Sequence, residues 1–204
     1  MPQEQASTDT ASATAATDGR RKRSETSRQR IVEAMIALVG EGHMSPGAEQ
    51  VATRAGVGLR TVFRHFADMD SLYASMALRL EREYEDWLDP FDGADWRAKL
   101  AEMIERRLGT YEKLMPYKRA ADGHRHSLPT IQRNYGLRLA MMRERLVAIM
   151  PPEIGGDPIL LETMDLLLSF ETWQRLRVDQ HLPPAQARAV IESAVTRLTE
   201  AVSP

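Results

Sequence analysis

Cysteine is absent from the 204-residue sequence. Its absence excludes disulfide bonds, thiolate metal sites and thiol-based catalysis. A chain without cysteine suits a reducing compartment, and we expect a cytoplasmic location. No run of about 18 apolar residues occurs, and the N-terminus has no basic segment followed by an apolar one. We therefore expect neither a membrane-spanning helix nor a secretory signal, and no membrane partner.

The alternation of apolar and polar residues that is typical of a half-buried strand is also missing over any useful length. Apolar residues instead recur every three or four positions, which is the period of an amphipathic helix. Hydrophobic residues make up 43% of the chain and charged residues 27%, as in an ordinary globular protein. We predict an all-α fold of about nine helices without an internal repeat.

The net charge of −2 conceals an uneven distribution along the chain. Residues 1–19 contain three acidic residues, and residues 20–67 contain nine Lys and Arg against four Asp and Glu. The rest of the chain has a net charge of −4. A basic segment on an otherwise acidic chain is typical of an end that binds a polyanion. A solvated charged face explains the same bias, so charge alone leaves both interpretations open.

We predict three regions. Residues 1–22 are an N-terminal tail without apolar periodicity, which buries too little surface to offset its ordering entropy and is expected to be disordered. Residues 23–70 form a helix-turn-helix domain, and residues 71–204 form a larger helical domain. The tail leads into a run of four basic residues, here called the basic arm, which we expect to bind DNA: Arg20, Arg21, Lys22 and Arg23.

Two short helices are predicted on either side of a glycine turn, which is the layout of a helix-turn-helix. Ser45 is interpreted as the N-cap of the first of them and Pro46 as its first residue. The turn is Gly56-Val57-Gly58. At about 100° per residue, four apolar residues of the second helix are expected to point inward: Leu59, Val62, Phe63 and Phe66.

The opposite side of this second helix combines two guanidinium groups, a hydroxyl and an imidazole, without an acid: Arg60, Thr61, Arg64 and His65. All four can hydrogen-bond base edges or phosphates, and arginine can pair bidentately with guanine in the major groove. Taken alone, this face is also explained by plain contact with solvent. The glycine turn and the basic arm favour DNA, and Ser45 is added to the expected contacts.

Five more helices are predicted beyond the turn. Asp68 is expected to cap the first of them. The helix over residues 158–178 is apolar around most of its circumference, so it must be covered on more than one side. An irregular basic stretch is expected over residues 117–127. The predicted helices span residues 68–89, 96–116, 128–150, 158–178 and 184–202.

The segment AGVGLRTVFRHF, residues 55–66, resembles the recognition motif of the TetR (tetracycline-repressor) family of transcriptional regulators, approximately A-G-V-S-x-G-T-L-Y-x-Y/H-F. The similarity continues back to Ile31 and forward to Leu72. Some residues depart from the family pattern. Gly58 replaces a frequent Ser and Arg60 a frequent Gly, and three departures affect expected phosphate contacts: Gly47 for Thr, Phe63 for Tyr and Met69 for Lys.

The resemblance implies a repressor that binds a palindromic operator in double-stranded DNA as a homodimer, with its recognition helices in successive major grooves. A small-molecule effector would bind in the larger domain and release the operator. The last two long helices would form a four-helix bundle with those of the partner. The dimer-interface residues expected on this basis are Leu160, Met164, Leu167, Trp173, Val190, Ile191, Ala194 and Leu198.

The effector pocket is expected among aromatic and methionine residues of the larger domain, with Arg107 or His124 orienting the ligand. Such residues at helical spacing are equally explained as ordinary core. The candidates are Trp87, Trp96, Met103, Arg107, Tyr111, His124, Met142 and Trp173.

Two other classes of function compete with DNA binding: an enzyme and a protein-interaction module. His124 and His126 stand two residues apart, as metal-binding histidines can, but no further ligand lies at helical spacing nearby. Polar loop residues or pocket lining explain them better, so we predict no metal site, no cofactor and no enzymatic activity. A helical protein-interaction module without DNA-binding activity is the stronger alternative. The glycine turn and the acid-free helix face favour DNA binding over it.

Overall fold

The computed structural model describes residues 5–83, 88–125 and 129–200. In these ranges the chain forms ten α-helices and one π-helical turn, with no strand. The predicted all-α fold is therefore confirmed. None of the described helices is both long and apolar enough to cross a membrane. The helices are α1 Gln5–Gly40, α2 Ala48–Ala55, α3 Leu59–His65, α4 Met69–Glu83, α5 Trp96–Arg125, α6 Pro129–Ile149, α7 Pro152–Gly155, α8 Pro158–Leu167, α9 Phe170–Gln174 and α10 Pro184–Glu200.

The chain divides into two compact units, Met1–Arg79 and Leu80–Pro204. The division falls inside α4, whereas the sequence predicted a boundary between residues 70 and 71. The helix α4 therefore begins in the first unit and ends in the second. Its start was predicted correctly, because the Asp68 carboxylate accepts a hydrogen bond from the backbone amide of Ser71 at 2.7 Å.

Helix α1 is continuous from Gln5 to Gly40, so its backbone is helical over residues that we predicted to be disordered. The segment is rich in alanine, which has the highest helix propensity, and this explains how a helix forms without an apolar face. The second half of α1 supplies core residues of the first unit: Ile31, Met35, Leu38 and Val39 are buried. One helix therefore contains both the basic arm and this core face.

The predicted start of α2 was wrong by two residues. The helix begins at Ala48, and its N-cap is Gly47 rather than Ser45. The Gly47 amide donates a hydrogen bond to the Gln50 side chain at 2.9 Å, which holds Gly47 as the extended residue in front of the helix. Ser45 is exposed in the preceding loop.

The turn between α2 and α3 depends on Gly56, whose φ of 63° is left-handed. Arg30 of α1 donates from Nη2 to the carbonyl of Ala55 at 2.5 Å. A Cβ atom on residue 56 would lie 2.9 Å from that nitrogen. Glycine is therefore favoured here both by backbone conformation and by the close approach of Arg30.

In the second unit, α5 continues through Pro116 to Arg125, although we predicted that it stops near the proline and that an irregular stretch follows. A proline inside a helix removes one backbone hydrogen bond and costs about 3 kcal/mol. Buried side chains on both sides of Pro116, among them Tyr111 and Ala120, hold the helix together and offset this cost.

The helix predicted over residues 158–178 is in fact broken. Helix α8 ends at Leu167, and Ser169 caps α9 by accepting a hydrogen bond from the Thr172 amide at 3.1 Å. After α9 the chain continues as a π-helical turn, Arg175–Asp179. Apolar periodicity does not distinguish one long helix from two, because the polar cap occupies a single position.

Glu112 of α5 connects α9 and the π-helical turn to the rest of the second unit. Its carboxylate accepts hydrogen bonds from Trp173 Nε1 at 3.1 Å and from Arg177 Nη2 at 2.7 Å. The bonded Arg177 guanidinium holds the pKa of Glu112 below its usual value, so this carboxylate stays ionised in the network.

Candidate nucleic-acid interface and ligand cavity

Helix α3 is anchored to the first unit by Val62 and Phe66, both buried as predicted. The prediction that Leu59 and Phe63 also point inward was wrong, because Phe63 is 49% exposed and Leu59 is exposed too. The buried direction lies midway between Val62 and Phe66, and Phe63 stands roughly 80° from it. The Phe63 ring therefore lies on the flank of the helix, where about half of it is exposed.

Arg60 and Arg64 are exposed on this outer side. Within the described residues neither forms a hydrogen bond or an ion pair. Arg64 stands roughly opposite the buried direction, and Arg60 lies about 40° around the helix from Arg64. The outer face of α3 consequently presents two guanidinium groups that have no acidic partner in the described part of the chain, with Phe63 on one flank and the half-buried Thr61 on the other.

His65, predicted on the same face, is half-buried instead. Burial lowers its pKa, and the positive charges of Arg64 and Arg28 lower it further. Its buried Nε2 has no hydrogen-bond partner in the described structure. Arg28 donates to the Ser75 hydroxyl at 2.9 Å and lies 5.0 Å from the centre of the Phe66 ring. His65 is therefore a neutral, inward group rather than an outer contact.

The free energy of unfolding should fall as the pH is lowered from about 7 to about 5. The pKa of His65 in the folded state lies below that of an unfolded histidine, so the unfolded chain binds the proton first and is favoured by acid. In His65→Gln this loss should be smaller, as measured by urea denaturation across that range. A pH dependence in His65→Gln identical to that of the wild type would exclude this role of His65.

The basic arm lies on the first half of α1. Arg21, Lys22 and Arg23 are exposed, and Arg23 Nε donates to the carbonyl of Gly19 at 3.1 Å. The side chain of Arg20 is outside the described residues. The arm is thus a turn of helix with exposed positive charge rather than the end of an extended tail.

The second unit contains a cavity of about 180 Å³, bounded by residues of α4, α5, α6, α8 and α9. Of the predicted pocket residues, three line it: Arg107, Tyr111 and Met142. Met103 and Trp173 are buried in the core instead, and Trp96 lines a separate depression. Trp87 and the His124 side chain lie outside the described residues. The lining residues that the sequence did not indicate include Glu81, Lys118, Tyr135, Arg138, Asp165 and Phe170.

The inner wall of the cavity is formed by Arg107 and Tyr111. Arg107 is 4% exposed and donates from Nη2 to the Met142 carbonyl at 2.5 Å. The Tyr111 hydroxyl donates to the Leu168 carbonyl at 3.1 Å, and burial raises the pKa of Tyr111 to about 12. Its ring meets Phe170 edge to face with centres 5.6 Å apart. These contacts fix both polar groups on a largely apolar wall.

Two other cations on the cavity wall have carboxylate partners. Arg138 forms an ion pair with Glu81 of α4. Lys118 Nζ lies 3.4 Å from Glu171 and 4.0 Å from the centre of the Phe170 ring. Within the described residues, no group of three or more His, Asp and Glu is arranged to hold a metal ion.

The structure corrects half of the predicted dimer interface. Four of its residues are buried inside the chain, so their side chains offer little surface to a partner: Leu160, Met164, Trp173 and Ile191. Leu167, Ala194 and Leu198 are half-buried, and Val190 is 46% exposed. The same helices instead expose Ile159 and Leu166, by 79% and 65%. Because α8 is apolar on several sides, its sequence alone does not show which side is internal.

Comparisons with known proteins identify the fold. No protein-family model and no curated protein matches the sequence. Among solved structures, the proposed transcriptional regulator SCO7518 of Streptomyces coelicolor A3(2) matches at 18% identity and a TM-score of 0.57, over 85% of this chain and 98% of that one. A proposed transcriptional regulator of Pseudomonas aeruginosa PAO1 matches at 21% and 0.60, over 85% and 90%. The multidrug binding protein EbrR, complexed with imidazole, matches at 20% and 0.54, over 84% and 88%. The chain shares its helical fold with these proteins.

Proposed function

We propose that this protein is a DNA-binding transcriptional regulator of the TetR type, a homodimer that represses transcription until a small molecule releases it from its operator. The observation behind the proposal is the outer face of α3, where Arg60 and Arg64 follow a glycine turn and are exposed, with no acidic partner among the residues that the structure describes. The resemblance of residues 55–66 to the TetR recognition motif and the fold shared with two proposed transcriptional regulators support it.

Two other arginines of the first unit are paired with carboxylates, unlike the two on α3. Arg54 is bound to Glu41, and Arg79 Nε lies 3.1 Å from Glu33. The guanidinium groups of Arg60 and Arg64 can therefore bind phosphate or guanine without first breaking an ion pair. Phe63 on the flank of this face offers an apolar surface of the kind that contacts the methyl group of thymine. We propose that α3 enters the major groove, with the basic arm adding contacts to the phosphate backbone.

The proposal is tested by selecting bound duplexes from a random DNA library with the full chain. We expect a palindrome of two half-sites, and an affinity that falls steeply with salt as phosphate-bound counterions are released. Fluorescence anisotropy of a selected and a scrambled duplex gives both quantities. A chain that self-associates but binds no duplex would support the protein-interaction module instead.

A route for ligand response runs through α4. Glu81, near the end of this helix, lines the cavity and is paired with Arg138. A ligand that breaks the ion pair between Glu81 and Arg138 removes a contact of α4, the helix that begins in the unit containing α3. Release of DNA requires that the ligand prefer the state with low DNA affinity. That EbrR was solved with imidazole supports a ligand-binding role for this fold.

The partner surface that we propose is the exposed apolar side of α8 and α10, with Ile159, Leu166 and Val190. Large aliphatic side chains exposed together are typical of protein interfaces. A second copy of the chain presents the same face, and a two-fold axis pairs it with itself. A palindromic operator requires the same symmetry.

A further inference from the structure

The cavity in the second unit contains a buried cation, Arg107, whose charge no described carboxylate neutralises at contact distance. Arg107 is 4% exposed, and its one hydrogen bond within the described structure is made to a backbone carbonyl, that of Met142. A guanidinium has five N–H donors, so most of its hydrogen-bonding capacity is unused. Burying a charge without an ionic partner is costly.

The neighbouring charges do not remove this imbalance. Lys118 and Arg138 on the same wall are each paired with a carboxylate, of Glu171 and Glu81. Asp165 also lines the cavity and attracts Arg107 electrostatically. It forms no ion pair with Arg107 within 4.0 Å in the described structure. Because both side chains line the cavity, a ligand in it meets Arg107 and Asp165 together.

The rest of the lining fits a small apolar body. Tyr111, Leu114, Leu139 and Phe170 supply aromatic and aliphatic surface. The volume of about 180 Å³ is comparable with the ~150 Å³ of an apolar cavity that accommodates benzene. One aromatic ring or a short aliphatic chain with a single charged group matches this size.

We infer that the cavity binds a small organic monoanion, an aromatic or short aliphatic carboxylate whose oxygens accept hydrogen bonds from Arg107. This inference names the ligand class of the regulator proposed above and rests on that function. The carboxylate supplies the acceptors that Arg107 lacks, in the bidentate geometry that a guanidinium favours. The apolar body lies against Tyr111 and Phe170.

Three molecules of one shape and different charge test the inference: benzoate, benzamide and benzamidinium. Titration calorimetry with the full-length protein at about pH 7 measures their affinities. We expect benzoate to bind on the order of tenfold more tightly than benzamide, because its hydrogen bonds to Arg107 are charge-assisted. Benzamidinium should be the weakest. Equal affinities, a preference for benzamidinium, or no binding of benzoate would overturn the inference.

Two variants locate the effect. Arg107→Met keeps the length of the side chain and should abolish the preference for benzoate over benzamide. Asp165→Asn removes the negative charge facing the same space and should tighten benzoate binding several-fold. Arg175→Met, at an exposed arginine of the π-helical turn, is the control and should match the wild type. If Arg107→Met does not fold, Asp165→Asn decides the question, because unchanged benzoate affinity would then contradict the inference.

The anisotropy assay with selected DNA, repeated with saturating benzoate, separates this inference from the proposed function. Preferential binding of benzoate without any change in DNA affinity would support the anion site and contradict its role in regulation. A chain that binds no DNA but still prefers benzoate would refute the regulator and leave the site in place.

Discussion

Replacing Arg64 with alanine should weaken binding to the selected operator by about 1–3 kcal/mol, and Arg60→Ala should act in the same direction. Both guanidinium groups are exposed on the outer face of α3, and neither is paired with another of the described residues. Arg64 points most directly away from the buried residues Val62 and Phe66, so we expect it to have the larger effect. Because neither side chain contributes to the core, thermal unfolding should barely change.

The comparison of operator with scrambled DNA separates two roles for each arginine. If Arg64 contacts a base, its loss should weaken the operator complex and relax the preference at one base pair. If it contacts phosphate, both duplexes should lose affinity together and the salt dependence should decrease. Arg175→Ala, in the second unit, is the control. Full operator affinity in folded Arg60→Ala and Arg64→Ala proteins would refute the assignment of α3.

The same substitution at two neighbouring residues of α10 should affect two different properties, the stability of the chain and its self-association. Ile191 is fully buried in the core of the second unit, so Ile191→Asp places a charge in an apolar interior and should cost several kcal/mol of stability. Val190 is 46% exposed, so Val190→Asp should leave the chain folded and weaken its self-association. Circular dichroism on heating and sedimentation velocity measure the two effects.

Leu166→Asp extends the experiment to α8, where the side chain is 65% exposed. It should resemble Val190→Asp, and Val190→Ala is a conservative control that should keep the dimer. If folded Val190→Asp and Leu166→Asp proteins remain dimeric at micromolar concentration, the interface lies elsewhere. A monomeric wild-type chain would refute the homodimer itself.

The first unit was largely predictable from sequence, because its short helices have clear apolar periods and punctuating glycines. Val62 and Phe66 were placed correctly by helical spacing. Leu59 and Phe63 were not, because an angular pattern ranks residues around an isolated helix, whereas neighbouring helices decide how much of it they cover. The alanine-rich start of α1 has no pattern at all, and its helix follows from propensity alone.

The cavity was harder to predict. Arg107 could be recognised as a charged residue within an apolar face, which is unusual for a core helix. Asp165 and Arg138 gave no such indication, because their roles arise from how α5, α6 and α8 face one another. The same limit applied to the dimer surface. On a helix that is apolar on several sides, only the neighbouring helices decide whether Leu160 or Ile159 points outward.

Because α1 is one continuous helix, the basic arm and the core residue Ile31 share a fixed helical phase. Each residue inserted between them would turn the arm by about 100° and move it about 1.5 Å along the axis. Two inserted residues would carry its charges to nearly the opposite side of the helix, whereas four would return them to within about 40° of the original azimuth. The number of residues between the basic arm and Ile31 therefore sets the direction in which the arm points.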